Sequence, residues 1–193
     1  MGQAHLLEKK EKKMKKLMIV AACAMVAAVT QAASVGWAAA GLTGYANDSY
    51  QFFVIGQNSV TDIATITALL DAGTSVDSYA FGSGTVTSAG LINQTAAASG
   101  KTLDAGTYTS FLVLFDSATP TAGEANYIVL SGTSNQTKTI ASTTASVSFS
   151  AGNVSSLVNN ASNWKSYGAV PEPTSGLLML LGIAGLALKR KRA

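Results

Sequence analysis

The chain has 193 residues, 48% of them hydrophobic and 12% charged, with a formal net charge of +3. That basic balance belongs to the two ends: residues 33–170 hold Lys101, Lys138 and Lys165 against Asp48, Asp62, Asp71, Asp77, Asp104, Asp116 and Glu124, a net of −4. No basic patch is left for nucleic acid, and with His5 and Cys23 the sole histidine and cysteine, this stretch lacks the bases, thiols and usual zinc ligands of nucleophilic or metal chemistry.

The elements follow in chain order. Residues 1–16 carry six lysines against Glu8 and Glu11, Leu17 to Val29 is almost wholly apolar, and Thr30-Gln31-Ala32-Ala33-Ser34 is small and polar. A basic stretch, a short apolar stretch and a small-residue exit describe a secretory signal peptide over residues 1–32, with signal peptidase as its partner. Cleavage after Ala32 fits best, with Thr30 and Ala32 at the two recognition positions, and cleavage after Ala33 is the neighbouring alternative. Met14-Lys15-Lys16-Leu17 could open a compact signal by itself, making residues 1–13 an upstream start extension. Val20-Ala21-Ala22-Cys23 also resembles a lipobox, but few apolar residues precede Cys23 and the apolar run continues past it, as for a cysteine used as a small hydrophobe.

Residues 33–168 are one domain's worth of chain. Ala, Gly, Ser and Thr dominate, and β-branched and aromatic residues come in short clusters between turn signals. Tyr50 to Ile55 reads as a strand ended by Gly56. Over residues 60–71, Ile63, Ile66, Leu69 and Leu70 recur at helical spacing, with Ser59 or Thr61 as cap and Gly73 as stop, which predicts one short helix. Ser78 to Phe81 reads as a short strand that Thr85 to Thr87 extends, and residues 93–102 as a polar loop. Thr107 to Phe115 is nearly continuous in apolar side chains, as a central strand is. Pro120 and Gly123 mark the connection to a returning strand over residues 126–130, an antiparallel hairpin. Lys138 to Phe149 looks like an edge or solvent-facing strand, and Val154 to Trp164 like a last helical turn or two. The fold class expected is mainly β: a small antiparallel β-sandwich or barrel-like domain with one short helix.

Candidate chemistry in this domain is sparse. A carboxylate pair for glycoside hydrolysis or an oxygen-lined calcium site is all the composition permits. The acids are scattered singly, and Asp71, Asp77, Asp104 and Asp116 sit beside Gly, Ser or Ala, where Asp usually builds turns. No enzyme, cofactor or metal is expected. Among the aromatics, Trp37, Tyr45, Tyr50, Phe52, Tyr79, Phe81, Tyr108, Tyr127, Trp164 and Tyr167 could include a sugar-stacking platform, although most fall within strand signals, where core packing is their commoner use. Asn47, Asn93, Asn135, Asn153 and Asn160 head N-x-[S/T] triplets, which come cheaply in such a sequence.

The tail, residues 169–193, has three parts. Pro171-Glu172-Pro173, after Val170, is extended and solvated, because each proline fixes φ and disfavours helix at the residue before it. Residues 174–188 follow, with Leu177, Leu178, Met179, Leu180, Leu181, Ile183, Leu186 and Leu188 giving an uncharged run without a polar face. Pro173 to Leu188 as helix would span about 24 Å. That is short of a typical bilayer crossing, but the flanking basic side chains can snorkel. Lys189, Arg190, Lys191 and Arg192 then orient the helix with its carboxyl end cytoplasmic. This order resembles the PEP-CTERM sorting signal of Gram-negative bacteria. The resemblance implies insertion in the inner membrane, recognition of Pro171, Glu172 and Pro173 by the membrane protease-transpeptidase exosortase, and a surface or extracellular-matrix destination with exopolysaccharide as a further partner. The other reading of the body is a secreted carbohydrate-binding module, with a carboxylate-based hydrolase a distant third.

Overall fold

In the computed structural model, which describes residues 32–132 and 134–168, ten strands form two sheets and one helix covers the outer face of the larger sheet. The organising element is β6 (Gly106–Phe115), buried from Ser110 to Phe115. β2 (Ser49–Val54) lies antiparallel to it, with Phe53 opposite Phe111, and β7 (Asn126–Leu130) does so on the other side, with Val129 opposite Val113. β3 (Gly82–Thr85) extends the sheet beyond β2. β8 (Thr137–Ile140) pairs with the first half of β6, and β10 (Lys165–Ser166) with the start of β7.

β2 and β6 are apolar on both faces because each face packs against a different layer. One face of the large sheet, through Tyr50, Phe52, Val54, Leu112, Leu114, Ile128 and Leu130, meets the small sheet. The other, through Phe53, Phe111, Val113, Phe115 and Tyr127, meets Ile66 and Leu70 of the helix and Tyr167 near the carboxyl end. Phe53 and Phe111 stack at 5.0 Å and 11°, a contact that contributes about 0.5–1.5 kcal/mol beyond the area buried.

The helix, α1 (Ile63–Asp71), falls within the predicted segment. Its cap is neither Ser59 nor Thr61 but Asp62, whose carboxylate accepts the Thr65 N–H at 2.7 Å. That hydrogen bond and one from the Thr65 hydroxyl hold the Asp62 carboxyl below its ordinary pKa. Gly73 ends the helix as predicted. At φ +71° it lets its own N–H reach Leu70 O and the Thr74 N–H reach Leu69 O, the paired closure that a left-handed residue permits.

The small sheet departs most from expectation. Its centre is β1 (Ala33–Ala40), an alanine-rich strand with no distinct signal in the sequence. β4 (Ile92–Gln94) and β5 (Thr102–Leu103) pair with β1 antiparallel. β9 (Ser146–Asn153) pairs with it in parallel, Trp37 opposite Phe149. The sandwich is therefore mixed, not wholly antiparallel, and neither sheet closes into a barrel. Parallel pairing arises because the chain reaches β9 only after crossing from the large sheet, so no hairpin constrains its direction.

Four local expectations need correction. Residues 93–102 are not merely a loop: they contain the end of β4, a single-turn helix α2 (Ala96–Ser99) and the start of β5. A four-residue helix, α2, joins α1 where no helix was expected, whereas α3 (Ser155–Val158) falls within residues 154–164, read as a last helical turn or two. The segment read as one strand from Lys138 to Phe149 divides between β8 and β9. Ser78 to Phe81 is turn, and the strand is instead the glycine-bearing β3. Steric room explains that shift: a Cβ on Gly82 would stand 2.3 Å from Cη2 of Trp37.

Candidate functional site

The signal peptide, Cys23, the sorting motif Pro171, Glu172 and Pro173, the membrane anchor and the orienting residues Lys189 to Arg192 lie outside the described residues, apart from Ala32. The two candidate cleavage residues fall at the very start of the domain. Ala33 opens β1, is wholly buried and pairs with Leu103, whereas Ala32 precedes the strand and is half-buried. Among the described residues, no helix is long and apolar enough to cross a membrane, and no group of three His, Cys, Asp or Glu is placed to hold a metal ion.

Four of the acids, Asp62, Asp71, Asp77 and Asp116, accept hydrogen bonds that brace the fold. Asp71 accepts the Tyr127 hydroxyl at 2.6 Å and lies 3.9 Å from Lys165 Nζ. Burial first, and then this hydrogen bond and the Asp71 charge, push the Tyr127 phenol well above its ordinary pKa. Asp77 accepts from Ser75 Oγ at 2.7 Å and from the Gln51 amide. Asp116 accepts both the backbone and side-chain N–H groups of Asn126, each at 2.7 Å, and so latches the β6–β7 hairpin. Asp104 is exposed in the turn between β5 and β6. Asp48, which pattern reading left without a role, is half-buried; desolvation, and then the nearby Asp116 charge, raise its carboxyl pKa.

Of the ten aromatics considered for a platform, Trp37, Tyr50, Phe52, Phe81, Tyr127 and Tyr167 are core. Trp37 stacks on Phe52 at 4.7 Å and 11°, and its Nε1–H donates to Tyr50 Oη at 3.2 Å. Tyr45, Tyr79, Tyr108 and Trp164 keep part of their surface in solvent. Two of these come together: Tyr45 and Trp164 stack at 5.2 Å and 20°. The Tyr45 hydroxyl and the Trp164 Nε1–H both donate to Val158 O, at 2.9 and 2.8 Å, so one carbonyl fixes the orientation of both rings.

These rings border a groove of about 500 Å³ that Asp116, Asn126, Val158, Asn159 and Ala161 also line. Three regions build it: the loop after β1, the β6–β7 hairpin and the turns after α3. Aromatic carbon beside amide and carboxylate groups suits a ligand with an apolar face and a rim of hydroxyls. A second groove of about 500 Å³ runs beside α1, past Ile63, Thr67, Val129, Leu157 and Lys165. The five N-x-[S/T] asparagines are all exposed, and the Asn160 side chain accepts from both the N–H and the hydroxyl of Ser162 within its own triplet.

No curated protein and no solved structure matches the chain. One family model does, over the segment that follows the last described residue: residues 169–192 match the PEP-CTERM protein-sorting motif.

Proposed function

We propose that the chain is an exported, non-catalytic protein of the cell surface or extracellular matrix, delivered through its PEP-CTERM tail. The observation that carries this reading is the family match at residues 169–192, together with the order of prolines, apolar run and basic cluster within it. Signal peptidase would act after Ala32. The complete burial of Ala33 within β1 supports that site over the next bond, whose cleavage would strip a buried residue from the strand. The segment from residue 174 to 188 would then hold the protein in the inner membrane while exosortase acts near Pro171-Glu172-Pro173. The structural employment of Asp62, Asp71 and Asp116 favours a body that binds or builds over one that catalyses.

The deciding experiment is intact mass with terminal peptide mapping of the protein from envelope and culture medium. A chain beginning at Ala33 and ending near the motif is expected. Replacing Pro171, Glu172 and Pro173 together by alanine should leave it uncut in the membrane, and normal release of that variant would refute the reading.

The Tyr45–Trp164 groove favours a second role for the same body, the binding of exopolysaccharide. Trp164→Ala should abolish retention on polysaccharide beads, with an unchanged far-ultraviolet circular dichroism spectrum as the control for folding. Failure of the unaltered protein to be retained by any host polymer would remove this role.

A further inference from the structure

Both polar tips of the Tyr45–Trp164 pair are occupied. The Tyr45 hydroxyl and the Trp164 Nε1–H donate to Val158 O, so what the two rings offer a ligand is carbon faces with the negative π-charge over them. The C–H face of a sugar suits such a surface. So does a cation, which the ring quadrupole attracts.

The polar side of the groove is acidic. Asp116 lines it, and no lysine or arginine does so among the described residues. Lys165 follows Trp164 in sequence, but its Nζ lies 3.9 Å from Asp71 and it lines the groove beside α1 instead. Asn126 donates to both oxygens of Asp116, each at 2.7 Å, and so fixes the orientation of the carboxylate. A carboxylate has about four acceptor sites, so about two stay open to a donor from a ligand. Asp48 adds a second acid close by. It is half-buried, and desolvation followed by the Asp116 charge raises its carboxyl pKa, the sign of negative charge that the fold leaves uncompensated.

We infer that the groove selects polysaccharide whose sugar units carry free, unacetylated amines: the ammonium donates to Asp116 while the C–H face of the sugar lies against Tyr45 and Trp164. This rests on the reading above that the groove binds polysaccharide, and adds the charge of the polymer it prefers. Chains bearing carboxylate or sulfate are disfavoured, because like charges brought together at a binding surface repel.

The test uses the full chain in detergent and oligosaccharides of one length built from glucosamine, N-acetylglucosamine or galacturonate units. Titration calorimetry at about 0.01 M and about 1 M salt, where the Debye length is about 30 and about 3 Å, reads the affinities. At low salt the amine oligomer should bind about tenfold tighter than the acetylated one, with galacturonate weakest. That margin should shrink at high salt. Asp116→Asn should remove it, whereas Asp104→Asn, the same charge change in an exposed turn, should keep it. Trp164→Ala should abolish binding of the amine oligomer, which separates the groove from diffuse attraction to an acidic body. Where Asp116→Asn unfolds the protein, the salt dependence of the unaltered chain and the other two variants still decide. Equal affinity for the amine and acetylated oligomers, or an amine preference that survives Trp164→Ala or a folded Asp116→Asn, would overturn the inference while leaving polysaccharide binding in place. Binding of none of the oligomers would overturn it too, and where no host polymer is retained either, the reading of the groove goes with it.

Discussion

Gly82→Ala is the sharpest single test of how the two sheets meet. Backbone propensity alone predicts a gain, because glycine in a strand costs about 0.5–1 kcal/mol relative to alanine. The structure predicts the opposite sign. The added methyl would stand 2.3 Å from Cη2 and 2.5 Å from Cζ2 of Trp37, and that indole has little room to yield. It is 3% exposed, stacked on Phe52 at 4.7 Å, and tied through Nε1 to Tyr50. Overpacking of a filled core typically costs about 1–3 kcal/mol. Set against the propensity gain, the expected net loss is about 1–2 kcal/mol, a fall in melting temperature of several degrees for a domain of this size. Urea denaturation of residues 33–168 followed by far-ultraviolet circular dichroism measures the difference. The same titration on Trp37→Phe and on the double variant closes a cycle. The smaller ring should relieve the clash, so the double variant should be more stable than the sum of the single losses predicts. A Gly82→Ala protein as stable as the original, or losses that add to within about 0.5 kcal/mol, would refute this account of the interface.

Two further predictions concern pH. The Tyr127 phenol has its folded pKa raised by burial and by Asp71, while an unfolded tyrosine titrates near 10. Stability should therefore fall as pH rises above about 10, and Tyr127→Phe should flatten that fall while losing about 1 kcal/mol at neutral pH with its hydrogen bond. An unchanged alkaline limb would contradict the assignment. The Asp48 carboxyl also has its folded pKa raised, so its charge opposes folding above that pKa and the penalty disappears as pH falls below the unfolded value. Asp48→Asn should then be more stable than the original at pH 7 and indistinguishable from it well below pH 4. Thermal melts across pH measure this, and a difference independent of pH would show that the cost of a desolvated Asp48 charge near Asp116 is not the cause.

How far the sequence could be read depended on where each element's partners lie. β2, β6 and β7 are visible because burial on both faces of the large sheet imposes near-continuous apolar runs. α1 is visible because Ile66 and Leu70 repeat at the helical period against one surface, and Gly73 supplies a local stop. β1 is not, since Ala33, Ala38, Ala39 and Ala40 carry too little side chain to mark a face. Its core residues Val35 and Trp37 bury through contacts with strands far along the chain. β3 is not visible locally because glycines disfavour strands, and their presence is explained by the Trp37 indole lying over Gly82 and the Tyr50 ring against Gly84.

The tail's signal is the local order of prolines, apolar side chains and basic residues, so the sequence alone determined the match at residues 169–192. Tertiary structure decided the mixed sandwich and the groove beside Tyr45 and Trp164. Each joins residues separated by many turns of chain. Their meeting is selected by the shape and burial of whole layers, which no local periodicity records.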